Sequence, residues 1–230
     1  MDFFLGGLAR GLGLVLRGDP EVMGIAWLSL RVSLAAVGVA ALLAVPLGLV
    51  VALRRFPGRR VVEVGFNTLL ALPTVVVGLV VYGLLSRQGP LGFLGLLYTP
   101  GAMVLAQAVL AFPLVTALTI SAVNTLDPRV YPTALTLGAG RLGAALTVLG
   151  EARLAVLAAL AAGFGRVVTE VGAALMVGGN IRGYTRTLTT AIALETAQGD
   201  FAQGIALGAI LLAVALGVNL LSYWLQARWS

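Results

Sequence analysis

Residues 127–153 read DPRVYPTALTLGAGRLGAALTVLGEAR, from Asp127 to Arg153. This is the longest interruption in a very apolar chain. Asp127-Pro128 and Pro132 are turn signals, and three arginines and two acids lie in the same stretch, so it is unsuited to crossing a bilayer. Between the charges, ALTLGAG (134–140) predicts a small-residue helix, a turn at Gly138 to Gly140, and a second helix beyond it. A piece of this kind lies against a membrane surface with an apolar face available to a partner. From the residues alone two readings stay open. One is a cytoplasmic loop carrying an amphipathic helix; the other is a docking element through which another protein pushes on the membrane helices either side.

Outward from this stretch the composition is that of a membrane protein. Of 230 residues, 60% are hydrophobic and only 10% charged, too apolar for a soluble domain. The chain has no cysteine and no histidine. Disulfides, thiolate metal sites, His-dependent triads and the usual zinc sites are thereby excluded, and no catalytic constellation assembles from the scattered acids. All 15 basic residues are arginine, so the lysine of a phosphate-binding loop is missing; ATP that drives this protein must be bound by another chain. The net charge of +6 does not imply nucleic acid, because the arginines sit mainly at the ends of apolar runs, the pattern of membrane topology.

Five spans are expected in an all-α integral membrane bundle. They cover about 23–53, 61–85, 101–124, 154–177 and 204–225, with Pro46 kinking the first and Pro73 and Pro113 central in the second and third. Arg31 lies near the start of the first span and can snorkel to the surface. The chain divides into an N-terminal amphipathic segment, 1–22, and a transmembrane domain, 23–230. Within the former, residues 2–17 lack a basic start and a cleavage site and predict an uncleaved interfacial helix. Residues 86–100 read as a Gly/Pro-rich outer loop, and Thr187 to Thr196 as a short helix tucked into the outer half of the membrane. Gly204 and Gly208 form a weak close-packing motif. Four arginines at 54, 55, 59 and 60 place the first loop inside. The 127–153 stretch and the C-terminus then face the cytoplasm, with Trp224 and Trp229 at the inner interface.

The fourth span holds Arg166, Thr169 and Glu170. Charges at that depth cost roughly 2.5–3.5 kcal/mol each and face protein or water. Arg166 and Glu170 are one turn apart and can pair; the pair is either a neutralised structural contact or part of the polar wall of a pathway. Hydroxyls for an anion are offered by Thr185, Thr187, Thr189 and Thr190.

From Pro132 to Val148 the chain resembles the signature loop of ABC importer membrane subunits, E-A-A followed by a glycine and then I-x-L-P. Thr133 stands at the glutamate position, followed by Ala134 and Leu135; Gly138 takes the glycine place, next to Ala139, and Val148 falls at the isoleucine, while Gly150 and Glu151 replace Leu-Pro. RRFPGRR (54–60), the run from Asn67 to Pro100 and the run from Phe164 to Thr196 are similar to the permease subunits of tungstate ABC importers. This resemblance implies a type I importer fold and a homodimer of this chain in a prokaryotic inner membrane. It also implies two copies of a cytoplasmic ATPase that holds ATP-Mg, and an extracytoplasmic oxyanion-binding protein. It makes 133–139 and Val148 the coupling contact to the ATPase, and tungstate the cargo. Molybdate, sulfate or another tetrahedral oxyanion is the alternative cargo. A stand-alone secondary transporter is the competing design, against which stand the lack of an internal repeat and of several buried carboxylates.

Overall fold

The structure is a computed structural model that describes residues 17–229 together with Leu5, Gly6, Ala9 and Gly13, with side chains as far as Trp224. The interfacial helix expected over 2–17 lies largely outside the described residues, as do the side chains at the expected inner end of the last span.

The described residues form α-helices joined by short turns. Helix α1, Pro20–Leu53, starts sharply because the Asp19 carboxylate accepts the backbone N–H groups of Glu21 and Val22 and Pro20 occupies the first turn. Helix α2 is Arg59–Leu69 and α3 is Thr74–Leu85. After a single 3-10 turn at Gly92–Leu94 comes α4, Pro100–Asn124. The opening stretch forms α5, Val130–Thr136, and α6, Arg141–Glu151. Then follow α7, Arg153–Val168, α8, Gly172–Gly178, α9, Leu188–Ala197, and α10, Phe201–Trp229. Helices α1, α4 and α10 are each long and apolar enough to cross a membrane, and there are five candidate spans if the bent pairs α2–α3 and α6–α7 each count as one.

Two of the expected continuous spans are broken. Between 61 and 85 the chain turns by 95°. Pro73, expected at mid-helix, instead precedes α3 in an extended conformation, where its missing N–H leaves no gap in a hydrogen-bond ladder. Between 154 and 177 the helix stops at Val168 and restarts at Gly172. Pro46 and Pro113, by contrast, lie inside helices that run on through them. The same residue type therefore ends one element and leaves two intact, and the neighbours decide which.

The bundle is held by close backbone approach. Ala36, Ala40, Ala44 and Gly48, spaced by four on α1, are all buried against α4 and its neighbours. A Cβ on Gly48 would stand 2.8 Å from the Thr119 Cβ, so α1 and α4 meet through small side chains, as membrane helices do when no water is left to expel. The central core joins Val32, Val37, Val77, Met103, Phe164 and Val177. A second cluster at one end packs Leu49, Val123, Val148 and Val156, and a third at the opposite end packs Val22, Leu188 and Leu207. Gly204 meets Thr196 across the α9–α10 turn, whereas Gly208 meets nothing among the described residues; within them the two glycines are not a shared seam.

Candidate functional site

Helices α5 and α6 form a hairpin at the end of the bundle that holds the Val123–Val148 cluster. The turn between them follows from Gly138, whose φ is +92°. Its N–H donates to the Leu135 carbonyl at 3.1 Å, and the Ala139 N–H to the Ala134 carbonyl at 3.0 Å. This is the paired bonding of a Schellman stop, a conformation that glycine adopts without a Cβ penalty. No atom of the described residues lies within 4 Å of where a Cβ would be, so the requirement is one of backbone conformation, not of space.

The hairpin has two apolar faces. Ala134, Ala144 and Val148 are buried against the bundle. Leu137, Leu142 and Leu146 are turned away from it, Leu137 with 83% of its surface exposed. Of the residues expected to form the coupling contact, Ala134 and Val148 thus anchor the hairpin, while Thr133, Leu135 and Gly138 lie on its open side and Ala139 is half-buried. The exposed leucines 137, 142 and 146 were not singled out by the motif, although the i, i+4 spacing of Leu142 and Leu146 opposite that of Ala144 and Val148 is visible in the sequence. A groove of about 530 Å³ runs along the hairpin, lined by Asp127, Arg129, Thr133, Leu137, Thr147 and Glu151 among others. It offers charge of both signs beside apolar surface.

The second site lies at the break between α7 and α8. Arg166 Nη1 stands 3.4 Å from Glu170 Oε2, with the Arg166 side chain 39% exposed and that of Glu170 only 4%. The other carboxylate oxygen accepts the Ala173 N–H at 3.0 Å, so Glu170 also caps the restarted helix. The Thr169 hydroxyl donates back to the carbonyls of Gly165 and Arg166. Thr189 donates to the Glu170 carbonyl at 2.9 Å. These bonds take up backbone groups that the break would otherwise strand in a low-dielectric interior.

The buried threonines of the 180–190 connection are likewise occupied. Thr185 donates to the Gly178 carbonyl at 2.6 Å and accepts the Ile181 N–H at 2.9 Å. Thr187 caps α9 in a reciprocal pair with Thr190, and the Leu188 N–H reaches the Ser29 hydroxyl on α1 at 2.8 Å. They hold the connection to α1 and α8 and are not free to receive an anion. Arg182 is bound to Glu21 at the start of α1 through two contacts of 2.7 and 2.5 Å. That carboxylate, through its hydrogen bond first and its charge second, raises the guanidinium further above its ordinary value.

Comparison with known proteins matches this architecture. The tungstate uptake system permease protein of Peptoclostridium acidaminophilum is 39% identical over 226 residues, which cover 98% of this chain and 99% of that one. The protein of the same description from Campylobacter jejuni is 41% identical over 171 residues, 74% of this chain and 72% of that one. The crystal structure of an amino acid ABC transporter with histidines superposes with a TM-score of 0.61 at 17% identity, over 93% of this chain and 96% of the other; it shares the fold. Residues 44–230, from the second half of α1 through the hairpin to the last helix, match the family model. The chain belongs to the inner membrane components of binding-protein-dependent transport systems.

Proposed function

We propose that this chain is the permease subunit of an ATP-driven tungstate importer. A pair of copies forms the translocation pathway in a prokaryotic inner membrane, with the C-terminus in the cytoplasm. A separate ATPase holds ATP-Mg, an extracytoplasmic binding protein delivers the oxyanion, and this chain hydrolyses nothing itself. The observation that carries the reading is the near-complete coverage of a tungstate uptake permease at 39% identity.

The structure supports a division of labour within the chain. The exposed leucines and the groove of the α5–α6 hairpin are the contact for the ATPase, while Ala134 and Val148 transmit its movement into the bundle. Closure of the ATPase pair on ATP then biases the bundle between a state open to one side of the membrane and a state open to the other. The Arg166–Glu170 pair and Thr169 are a structural joint at a helix break, since Glu170 has both carboxylate oxygens engaged and would repel a dianion.

The test is uptake of tungstate, molybdate and sulfate by proteoliposomes containing the permease, its ATPase and its binding protein. Tungstate uptake that depends on ATP, and that a tenfold excess of sulfate leaves intact, is the expected result. Uptake of sulfate in preference to tungstate would reassign the cargo, and uptake without ATP would reject the importer class.

A further inference from the structure

At the end of the bundle opposite the α5–α6 hairpin, one face of α1 runs from Glu21 through Gly24 and Leu28 to Arg31. These residues are three or four apart and stack on one side of the helix. The 182–186 loop lies across that face, and between them is a basin of about 530 Å³ lined by Glu21, Gly24, Arg31, Arg182, Tyr184 and Arg186 among others. Its lining holds three guanidinium groups and one carboxylate: three positive charges less one negative leave a formal charge of two positive. An adjoining cleft shares Glu21, Arg182 and Arg186 with the basin and adds Asp19, Glu195 and Asp200, so on that side these two arginines face acids as well, and Arg31 is the basic group that belongs to the basin alone. Among the described residues, a Cβ on Gly24 would meet nothing within 4 Å.

Two of the three guanidinium groups are in need of an acceptor. The Arg186 Nε is buried and has no hydrogen-bond partner among the described residues. Arg31 is exposed and makes no ion pair or side-chain hydrogen bond among them. It lies eleven residues beyond Pro20, about 16 Å along the helix, on a span where a charge faces water or a counter-charge and not lipid. Arg182 is the exception, being held by Glu21. A planar fork of donors suits the oxygens of a tetrahedral anion, and the donors left without an acceptor are those of Arg31 and Arg186.

We propose that this basin binds a tetrahedral oxyanion, with Arg31 and Arg186 as the donors and Glu21 withholding Arg182 and so keeping the affinity low enough for release. The inference rests on the oxyanion-import reading above. Free oxyanion and the phosphate of a lipid headgroup share this chemistry; the occupant proposed is the free ion.

The experiment uses the permease–ATPase complex in phosphatidylcholine nanodiscs, without binding protein, and measures tungstate bound at equilibrium. Saturable binding is expected, weakened at least tenfold by Arg31→Gln and by Arg186→Gln, and less by Arg31→Lys. Glu21→Gln, which frees Arg182, should tighten binding several-fold, a gain that misfolding does not produce. Gly24→Phe, which fills the basin and leaves every charge in place, should abolish it. No saturable binding in the wild type, equal binding in Arg31→Gln and wild type, or no gain in Glu21→Gln overturns the proposal. Adding phosphatidylglycerol should change tungstate binding by less than twofold; its loss would assign the basin to lipid and overturn the proposal. ATP-driven tungstate uptake by the wild type reports separately on the import reading. Uptake that proceeds normally in wild type and Arg31→Gln alike, with binding unchanged, sinks the basin and leaves that reading standing.

Discussion

Gly138 has a left-handed backbone with open space around it, which separates two effects that substitution usually mixes. Asparagine tolerates that region better than other non-glycine residues, and a β-branched residue tolerates it worst. Gly138→Asn should retain most transport. Gly138→Val should cost on the order of 1–2 kcal/mol locally, and should leave ATPase activity but lower uptake per ATP hydrolysed; equal coupling ratios in the two variants would refute this. The turn was legible because glycine-rich sequence between two helical patterns requires a reversal. The Arg166–Glu170 pair was legible only as a spacing. Its asymmetry was not, because one-turn separation says nothing about which member faces the interior. With Glu170 buried and Arg166 more than a third exposed, removing the cation strands a charge, whereas neutralising the acid lets the arginine turn to water. Arg166→Leu should therefore destabilise the purified complex by on the order of 1–3 kcal/mol, and Glu170→Gln by less, since an amide oxygen still accepts the Ala173 N–H. Thermal unfolding of the two variants checks the order.

Among the elements, hydropathy revealed the spans but not their breaks, because a broken span and a straight one have the same composition. Pro46, Pro73 and Pro113 look alike locally, and only Pro73 separates two helices. What distinguishes its surroundings is tertiary: α3 is pressed against α8, where a Cβ on Gly78 would fall 2.8 Å from the Ala173 Cα. Backbone cannot yield as a flexible side chain can, so Gly78→Ala should overpack the contact and cost about 1–3 kcal/mol, read as a lower midpoint of thermal unfolding. The α5–α6 hairpin was recognisable from its charges and turns, but a motif tied to fixed positions passed over the outward leucines. Leu137→Asp with Leu142→Asp should leave the permease folded and abolish co-purification of the ATPase; retention of the ATPase would move the contact elsewhere.

At the scale of the molecule, orientation can be read directly, because the chain contains no cysteine and single replacements report without background. A membrane-impermeant thiol reagent applied to intact cells should miss cysteines at Phe56 and Gly140 and label one at Phe93, all three exposed positions. Labelling of the first two from outside would invert the topology. The fold also has a mechanical side. Ala152, almost fully buried, is the single residue between α6 and α7 and caps both, and the two helices meet there at 70°. Such a corner behaves as a bell crank. If the ATPase pushes on the outward leucines of one arm, as proposed, a corner with one joining residue would pass the push on as rotation of the other arm, a rod of about 24 Å that ends beside Glu170. Lengthening the corner by a flexible glycine would turn the crank into a hinge, and the stroke would be lost in the joint before it reached the far half of the membrane.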